Sequence, residues 1–135
     1  MIRKLDDKTW VSGQVAPHEV AGLAQSGVTM LVNNRPDGED TDQPLAADIE
    51  AAAEAAGIAY RFVPIVRGMG PADVEAMQRA IREAGDGAML AFCRSGTRSA
   101  YACALAHREE GFPTDVVMDK LTQAGFDPGP IAHLL

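Results

Sequence analysis

Apolar and polar positions along the chain fall into short blocks with two different periods. Ile2 to Leu5 and Thr9 to Ser12 read as two short strands around the polar turn Asp6-Asp7-Lys8. Pro17 opens a helix at a position that tolerates proline, and Gly27 ends it. Val28 to Asn33 is a continuous apolar run with the length of a buried strand, followed by a polar loop from Asn34 to Gln43. Leu45, Ile49, Ala52, Ala53 and Ala56 recur at helical spacing, with Gly57 as the stop. Ile58 to Val63 is the next strand. Pro71 opens a helix whose apolar face is Val74, Met77 and Ile81.

The turn Gly85-Asp86-Gly87 leads into a strand over Ala88 to Phe92, and Ala100 to Ala106 with its flanks forms a buried helix. Gly111-Phe112-Pro113 breaks it. Val117 and Leu121 mark a further helix, and a short helical tail starts at Pro130. Strands alternating with helices predict βαβ units. The expected fold is α/β, in three layers, with a mostly parallel central sheet of four to five strands flanked by helices. Ligands of such sheets bind beyond the carboxyl ends of the strands. That rim receives three loops here: the one containing Arg35, the one written Arg67-Gly68-Met69-Gly70, and the one that follows Phe92.

The last of these is Cys93-Arg94-Ser95-Gly96-Thr97-Arg98-Ser99, a cysteine at the passage from a strand to a helix. Backbone N–H groups converge at such a turn, and the helix N-terminus adds positive potential. Both favour a thiolate, the nucleophilic form of cysteine. Arg98 would be unfavourable at a helix start unless it serves an anion, so it is read as an oxyanion-binding fork. Arg94 is read either as a substrate contact or as a solvated side chain. Gly96 relieves a tight turn or a positive φ. Ser95 and Thr97 hydrogen-bond within the loop, and Ser99 either bonds the sulfur or caps the helix. Arg35 either reaches the anion or braces its own loop through Asp37 or Glu39, and bracing is favoured. Arg67 is read as a substrate contact or a solvated residue. Cys103, inside the buried helix, is packing, and His18 and His107 have ordinary surface explanations.

The chain has 135 residues, 47% hydrophobic and 23% charged, which fits one domain spanning 1–135. Its net charge of −7 argues against a nucleic-acid partner and suits a partner protein with a basic patch. No apolar run is long enough to cross a bilayer. No apolar segment of a secretory signal follows Met1 to Asp7, so the expected location is cytoplasmic. Two cysteines in such a chain do not suggest a structural disulfide. No zinc-type spacing of Cys and His occurs, and neither a metal nor a cofactor is expected.

Two resemblances bear on the chemistry. Protein tyrosine and dual-specificity phosphatases place five residues between cysteine and arginine, usually with a histidine before the cysteine. Here four residues separate Cys93 from Arg98, and Phe92 precedes. The loop C-R-S-G-x-R-S is instead similar to that of single-domain rhodaneses. The rest of the chain carries no segment like the Gly-His-Ile-Pro-Gly-Ala of rhodanese domains. Val28 to Asn33 with Asn34-Arg35-Pro36-Asp37-Gly38-Glu39, and Gly57 to Ile65, resemble the phosphatase-like domain of the beta-lactamase hydrolase-like proteins, from about Trp10 to about Phe112. Some members of that family are fused to a metallo-hydrolase domain of the persulfide dioxygenase type. The resemblance implies a dual-specificity-phosphatase-like frame, protein-tyrosine-phosphatase-like rather than rhodanese in topology, holding a rhodanese-like loop.

On loop length, the expected activity is sulfur transfer through a Cys93 persulfide. A small anionic donor, thiosulfate or a glutathione persulfide, would supply the sulfur and a thiol would accept it. The alternative is a tyrosine or dual-specificity-like phosphatase working through a Cys93 phosphocysteine. The loop Pro64 to Gly70 lacks the aspartate such enzymes use as general acid, and Asp73 has a helix-end explanation. A third expectation is a non-catalytic persulfide carrier or anion-binding domain.

Overall fold

The computed structural model describes residues 1–66 and 68–135. Five strands, β1 (Arg3–Lys4), β2 (Thr9–Ser12), β3 (Val28–Asn33), β4 (Ala59–Phe62) and β5 (Ala88–Phe92), form one sheet in the order β1-β2-β5-β3-β4. Among the described residues only the β1–β2 pair is antiparallel. The carboxyl ends of β2, β5, β3 and β4 therefore share one rim, with Ser12 opposite Phe92, Phe92 opposite Asn33 and Asn33 opposite Phe62. The helices are α1 (Val20–Gln25), α2 (Ala46–Ala56), α3 (Pro71–Ala84), α4 (Thr97–Glu109) and α5 (Thr114–Gln123). The helix expected from Pro17 is split into a single 3-10 turn, Pro17–Glu19, followed by α1, and a second 3-10 stretch, Gly129–Leu134, closes the chain.

Both faces of the sheet are covered, so its central strands read as unbroken apolar runs. The period of two is visible only in which core each side chain joins. Met89 and Ala91 of β5 pack with Val11, Met30 and Val32 against α3, α4 and α5. Ala88, Leu90 and Phe92 turn to the other face and pack with Trp10, Leu31, Ile49 and Ala53 beneath α1 and α2. A register shift between Val28 and Met30 keeps both faces of β3 filled while Thr29 stays exposed. Gly57, at φ +75°, closes α2, its N–H donating to Glu54 O while Ile58 N–H donates to Ala53 O. The strand expected from Ile58 to Val63 consequently begins one residue later. Among the described residues no helix is long and apolar enough to cross a membrane.

His107 departs from the surface reading. It is buried, stacked on Phe112 with ring centroids 4.8 Å apart, and its Nε2 lies 3.3 Å from Thr9 Oγ1. Burial, the largest influence, pushes its pKa below the usual 6.5. It stands beside the start of β2, on the edge of the sheet away from the carboxyl rim, and takes no part in the chemistry of the rim.

Candidate active site

Cys93 is the first residue beyond β5 and is fully buried. Its N–H donates to Ser12 O at 3.3 Å, which ties the start of the loop to the end of β2. Gly96 N–H points at the sulfur, 3.1 Å from Sγ. Gly96 then starts α4, its carbonyl accepting from Ala100 N–H at 2.9 Å. Two glycines make this geometry available. Gly96 has φ +97°, and a Cβ there would lie 3.3 Å from the carbonyl carbon of Ser12. A Cβ on Gly13 would lie 3.0 Å from Arg94 O. The wall of the cradle is therefore shared between the loop and the end of β2.

Arg98 stands in the first turn of α4. Its Nη1 donates to Glu39 Oε2 at 2.7 Å and to Ile65 O at 2.9 Å, and its Nη2 donates to Glu39 Oε1 at 2.8 Å. A guanidinium has five N–H groups. Three are committed, and the Nε–H and one Nη2–H remain on the opposite edge, the pair that receives two oxygens of a tetrahedral anion. The raised pKa of Arg98 has the Glu39 hydrogen bond as its main cause, with Cys93 adding both charge and a hydrogen bond. Glu39 is held well below the carboxylate range, at about 2, chiefly by Arg98 and further by Arg35, against a smaller opposing effect of burial.

Arg35 is buried and faces its own loop. Its Nε donates to Glu39 Oε1, its Nη2 to Asp40 Oδ2 and its Nη1 to Gln14 Oε1, at 2.8–2.9 Å. Asp37, expected as one of its partners, instead accepts the N–H of Ala46 at the start of α2. Arg94 is mostly exposed and lies 3.6 Å from Asp40 Oδ2. The Ser95 hydroxyl donates to Thr97 Oγ1 at 3.3 Å. The Ser99 hydroxyl donates to Asn34 Oδ1 at 2.8 Å, so it neither bonds the sulfur as donor nor caps α4. Asn34 in turn donates to Val63 O and sits against Met77 Sδ. Arg67 lies outside the described residues. Cys103 is buried in the α3–α4–α5 core, where burial drives its thiol pKa far above the usual range. Among the described residues no group of three or more His, Cys, Asp or Glu side chains is arranged to hold a metal ion.

Gln14 and Asn34 are members of the site that sequence patterns left out, and Glu39 was read only as a brace for Arg35, not as the partner of Arg98. The density of charge in Arg35-Pro36-Asp37-Gly38-Glu39-Asp40, on a loop assigned to the same rim as Cys93, was the available signal for Glu39.

A mostly parallel sheet flanked by helices, with a cysteine and an arginine on the passage from its last strand to the next helix, is a protein-tyrosine-phosphatase-like frame. The family profile described as "Beta-lactamase hydrolase-like protein, phosphatase-like domain" matches residues 1–109. The chain belongs to that family. It is 37% identical over 127 residues to a beta-lactamase hydrolase-like protein of Xylella fastidiosa, covering 93% of this chain and 29% of that one. The chain thus spans about three tenths of the length of the curated relatives it matches first. Among solved structures, a candidate phosphatase of Neisseria meningitidis superposes with a TM-score of 0.81 at 30% identity, over 98% of this chain and 94% of that one. Tk-PTP in its active form superposes with a TM-score of 0.71 at 17% identity, over 93% and 86%, a likeness of fold.

These findings overturn the sulfurtransferase expectation and favour the phosphatase alternative. The expectation rested on loop length as the measure of cradle size. Loop length alone does not describe the cradle, since Ser12 and Gly13 of the neighbouring strand end pack close against the loop. The local basicity around Cys93 is also smaller than the sequence suggested, because Glu39 and Asp40 face Arg35, Arg94 and Arg98.

Proposed function

We propose that this domain is a phosphohydrolase that works through a Cys93 phosphocysteine. One observation carries the reading: Glu39 and the Ile65 carbonyl take three N–H groups of Arg98 and leave its Nε–H and one Nη2–H uncommitted among the described residues, five residues along the loop from Cys93, in a chain of a phosphatase-like family. In the first step the Cys93 thiolate attacks phosphorus. An S–P bond forms, the P–O bond to the leaving group breaks, and the electron pair leaves on that oxygen. The Gly96 N–H, directed at the sulfur, favours the thiolate before attack. The free Nε–H and Nη2–H of Arg98 bind two phosphoryl oxygens and oppose the charge of the transition state. In the second step water attacks phosphorus, the S–P bond breaks, the thiolate is restored, and both protons of the water leave on the phosphate.

Ser99 and Asn34 serve as positioning residues: their buried hydrogen bond fixes the first turn of α4, and with it Arg98, to the end of β3. The test is hydrolysis of an aryl phosphate by the purified chain together with intact-mass measurement of the quenched reaction. Hydrolysis accompanied by one phosphoryl group on the protein, both lost in Cys93→Ser, supports the reading. Hydrolysis that survives in Cys93→Ser overturns it.

A further inference from the structure

We propose that Arg35 is a positioning residue for Arg98: its buried guanidinium fixes Glu39, and Glu39 in turn fixes the fork of Arg98. The proposal rests on the reading of Arg98 as the group that binds the phosphoryl oxygens.

Glu39 Oε1 accepts two N–H groups at once, Arg35 Nε at 2.9 Å and Arg98 Nη2 at 2.8 Å. One oxygen therefore joins the two guanidinium groups, while Oε2 accepts Arg98 Nη1 at 2.7 Å. The three side chains differ in how they are held. Arg98 and Glu39 are each more than a quarter exposed, at 28% and 29%. Such an arginine–glutamate pair contributes little on its own, because two long side chains must be ordered to form it. Arg35 is buried, and each arm of its guanidinium is anchored, Nε on Glu39, Nη2 on Asp40 Oδ2 and Nη1 on Gln14 Oε1. Its backbone is tied as well, the N–H donating to Asn33 Oδ1 at 2.9 Å. Order is thus passed outward, from Arg35 in the packed rim to Glu39 and from Glu39 to Arg98. A second branch runs through Asp40, whose Oδ2 lies 3.6 Å from Arg94 Nε. Both arginines of the Cys93 loop are reached from Arg35 through a carboxylate. Lysine cannot replace Arg35 in this role. A planar guanidinium directs N–H groups along three arms in one plane, whereas an ammonium is a point charge on a flexible stem. Arg35→Lys keeps the charge and loses the simultaneous hold on Glu39, Asp40 and Gln14.

The experiment is a double-mutant cycle on the full chain, with Arg35→Lys and Glu39→Ala made singly and together. Calorimetric affinity for inorganic phosphate, kcat/KM for an aryl phosphate and the urea midpoint are read for each variant. Arg35→Lys is expected to weaken phosphate binding about tenfold, the scale of a charge-assisted hydrogen bond. In the Glu39→Ala background the same change should cost less than about twofold, since the residue that carries the effect is gone. The kcat/KM values should show the same coupling. A role in the fold alone predicts an equal loss in both backgrounds, and that result overturns the proposal. Parental phosphate affinity in Arg35→Lys overturns it too. Gln14→Ala leaves every charge in place and releases only Nη1, so it serves should Arg35→Lys not fold. A loss of phosphate affinity in Gln14→Ala that vanishes beside Glu39→Ala supports the proposal, and parental affinity overturns it. A chain that shows this coupling in phosphate binding, yet hydrolyses no aryl phosphate and carries no phosphoryl group on Cys93, upholds the role of Arg35 and overturns the phosphohydrolase reading alone.

Discussion

Arg98 and Glu39, 59 positions apart in sequence, meet fork to fork, with Nη1 on Oε2 at 2.7 Å and Nη2 on Oε1 at 2.8 Å. The pair orients the arginine in the first turn of α4. Glu39→Gln keeps the size of the side chain but replaces one accepting oxygen by an NH₂ group and removes the charge. A charge-assisted hydrogen bond contributes on the order of 1.5–3 kcal/mol, so kcat/KM for an aryl phosphate is expected to fall about tenfold or more. Glu39→Asp, which retains the charge, should recover part of the loss. Full activity in Glu39→Gln would show that Arg98 holds its orientation without this pair.

Asn34 and Ser99 form the second long-range tie, fully buried and 65 positions apart. Asn34→Ala leaves the Ser99 hydroxyl and the Val63 carbonyl without their partner in the core. Such a loss costs about 1–3 kcal/mol for each unsatisfied group, and the expected result is a lower urea midpoint at unchanged slope. Ser99→Ala removes only the donor and should cost less. Equal midpoints for parent and Asn34→Ala would refute the role given to this bond.

These two ties also mark the boundary of what sequence patterns carry. The strands and helices were legible because Gly27, Gly57, Pro71 and Gly111 punctuate them, and because a buried parallel sheet demands apolar runs such as Met89 to Phe92. Cys93 and Arg98 were legible because their chemistry is local, seven residues of one loop. The partner of Arg98 was not, since no period links a polar loop after β3 to a turn after β5. Of the two loop partners read for Arg35, Glu39 accepts its Nε–H, while Asp37 accepts the Ala46 N–H at the start of α2 instead. His107 was misplaced because a polar residue in the last turns of a helix has a ready surface explanation, whereas here the α4 face beside β2 is covered. The loop-length argument took no account of Ser12 and Gly13, 80 or more positions upstream, whose backbone packs against the loop.

Gly96→Ala tests the shape of the cradle. The residue has φ +97°, and the added Cβ would meet the Ser12 backbone at 3.3 Å. An L-residue in left-handed backbone costs about 1–2 kcal/mol, so a modest drop in the urea midpoint is expected. Because the Gly96 N–H is the donor 3.1 Å from Cys93 Sγ, the fall in activity should exceed what the lost stability explains. A variant with a lower midpoint but parental kcat/KM would show that the Gly96 N–H does not serve the sulfur.

Acid stability should fall in two separate windows. His107 is buried, and burial holds its pKa below 6.5, an effect that nearby Asp6 opposes and Lys120 reinforces. The unfolded chain binds a proton near the ordinary value while the folded chain does not. Stability from this group is thus full above about pH 6.5 and declines as pH falls below it. Glu39 titrates at about 2 when folded, against 4.5 for a free glutamate, because Arg98 and Arg35 hold its charge. Its contribution is present above pH 4.5 and is lost as pH falls through about 2. Urea midpoints measured from about pH 8 down to about pH 3 should show both declines. His107→Gln should remove the decline just below pH 6.5 and leave the lower one, and Glu39→Gln should do the reverse. A decline below pH 6.5 that persists unchanged in His107→Gln would show that another group titrates there.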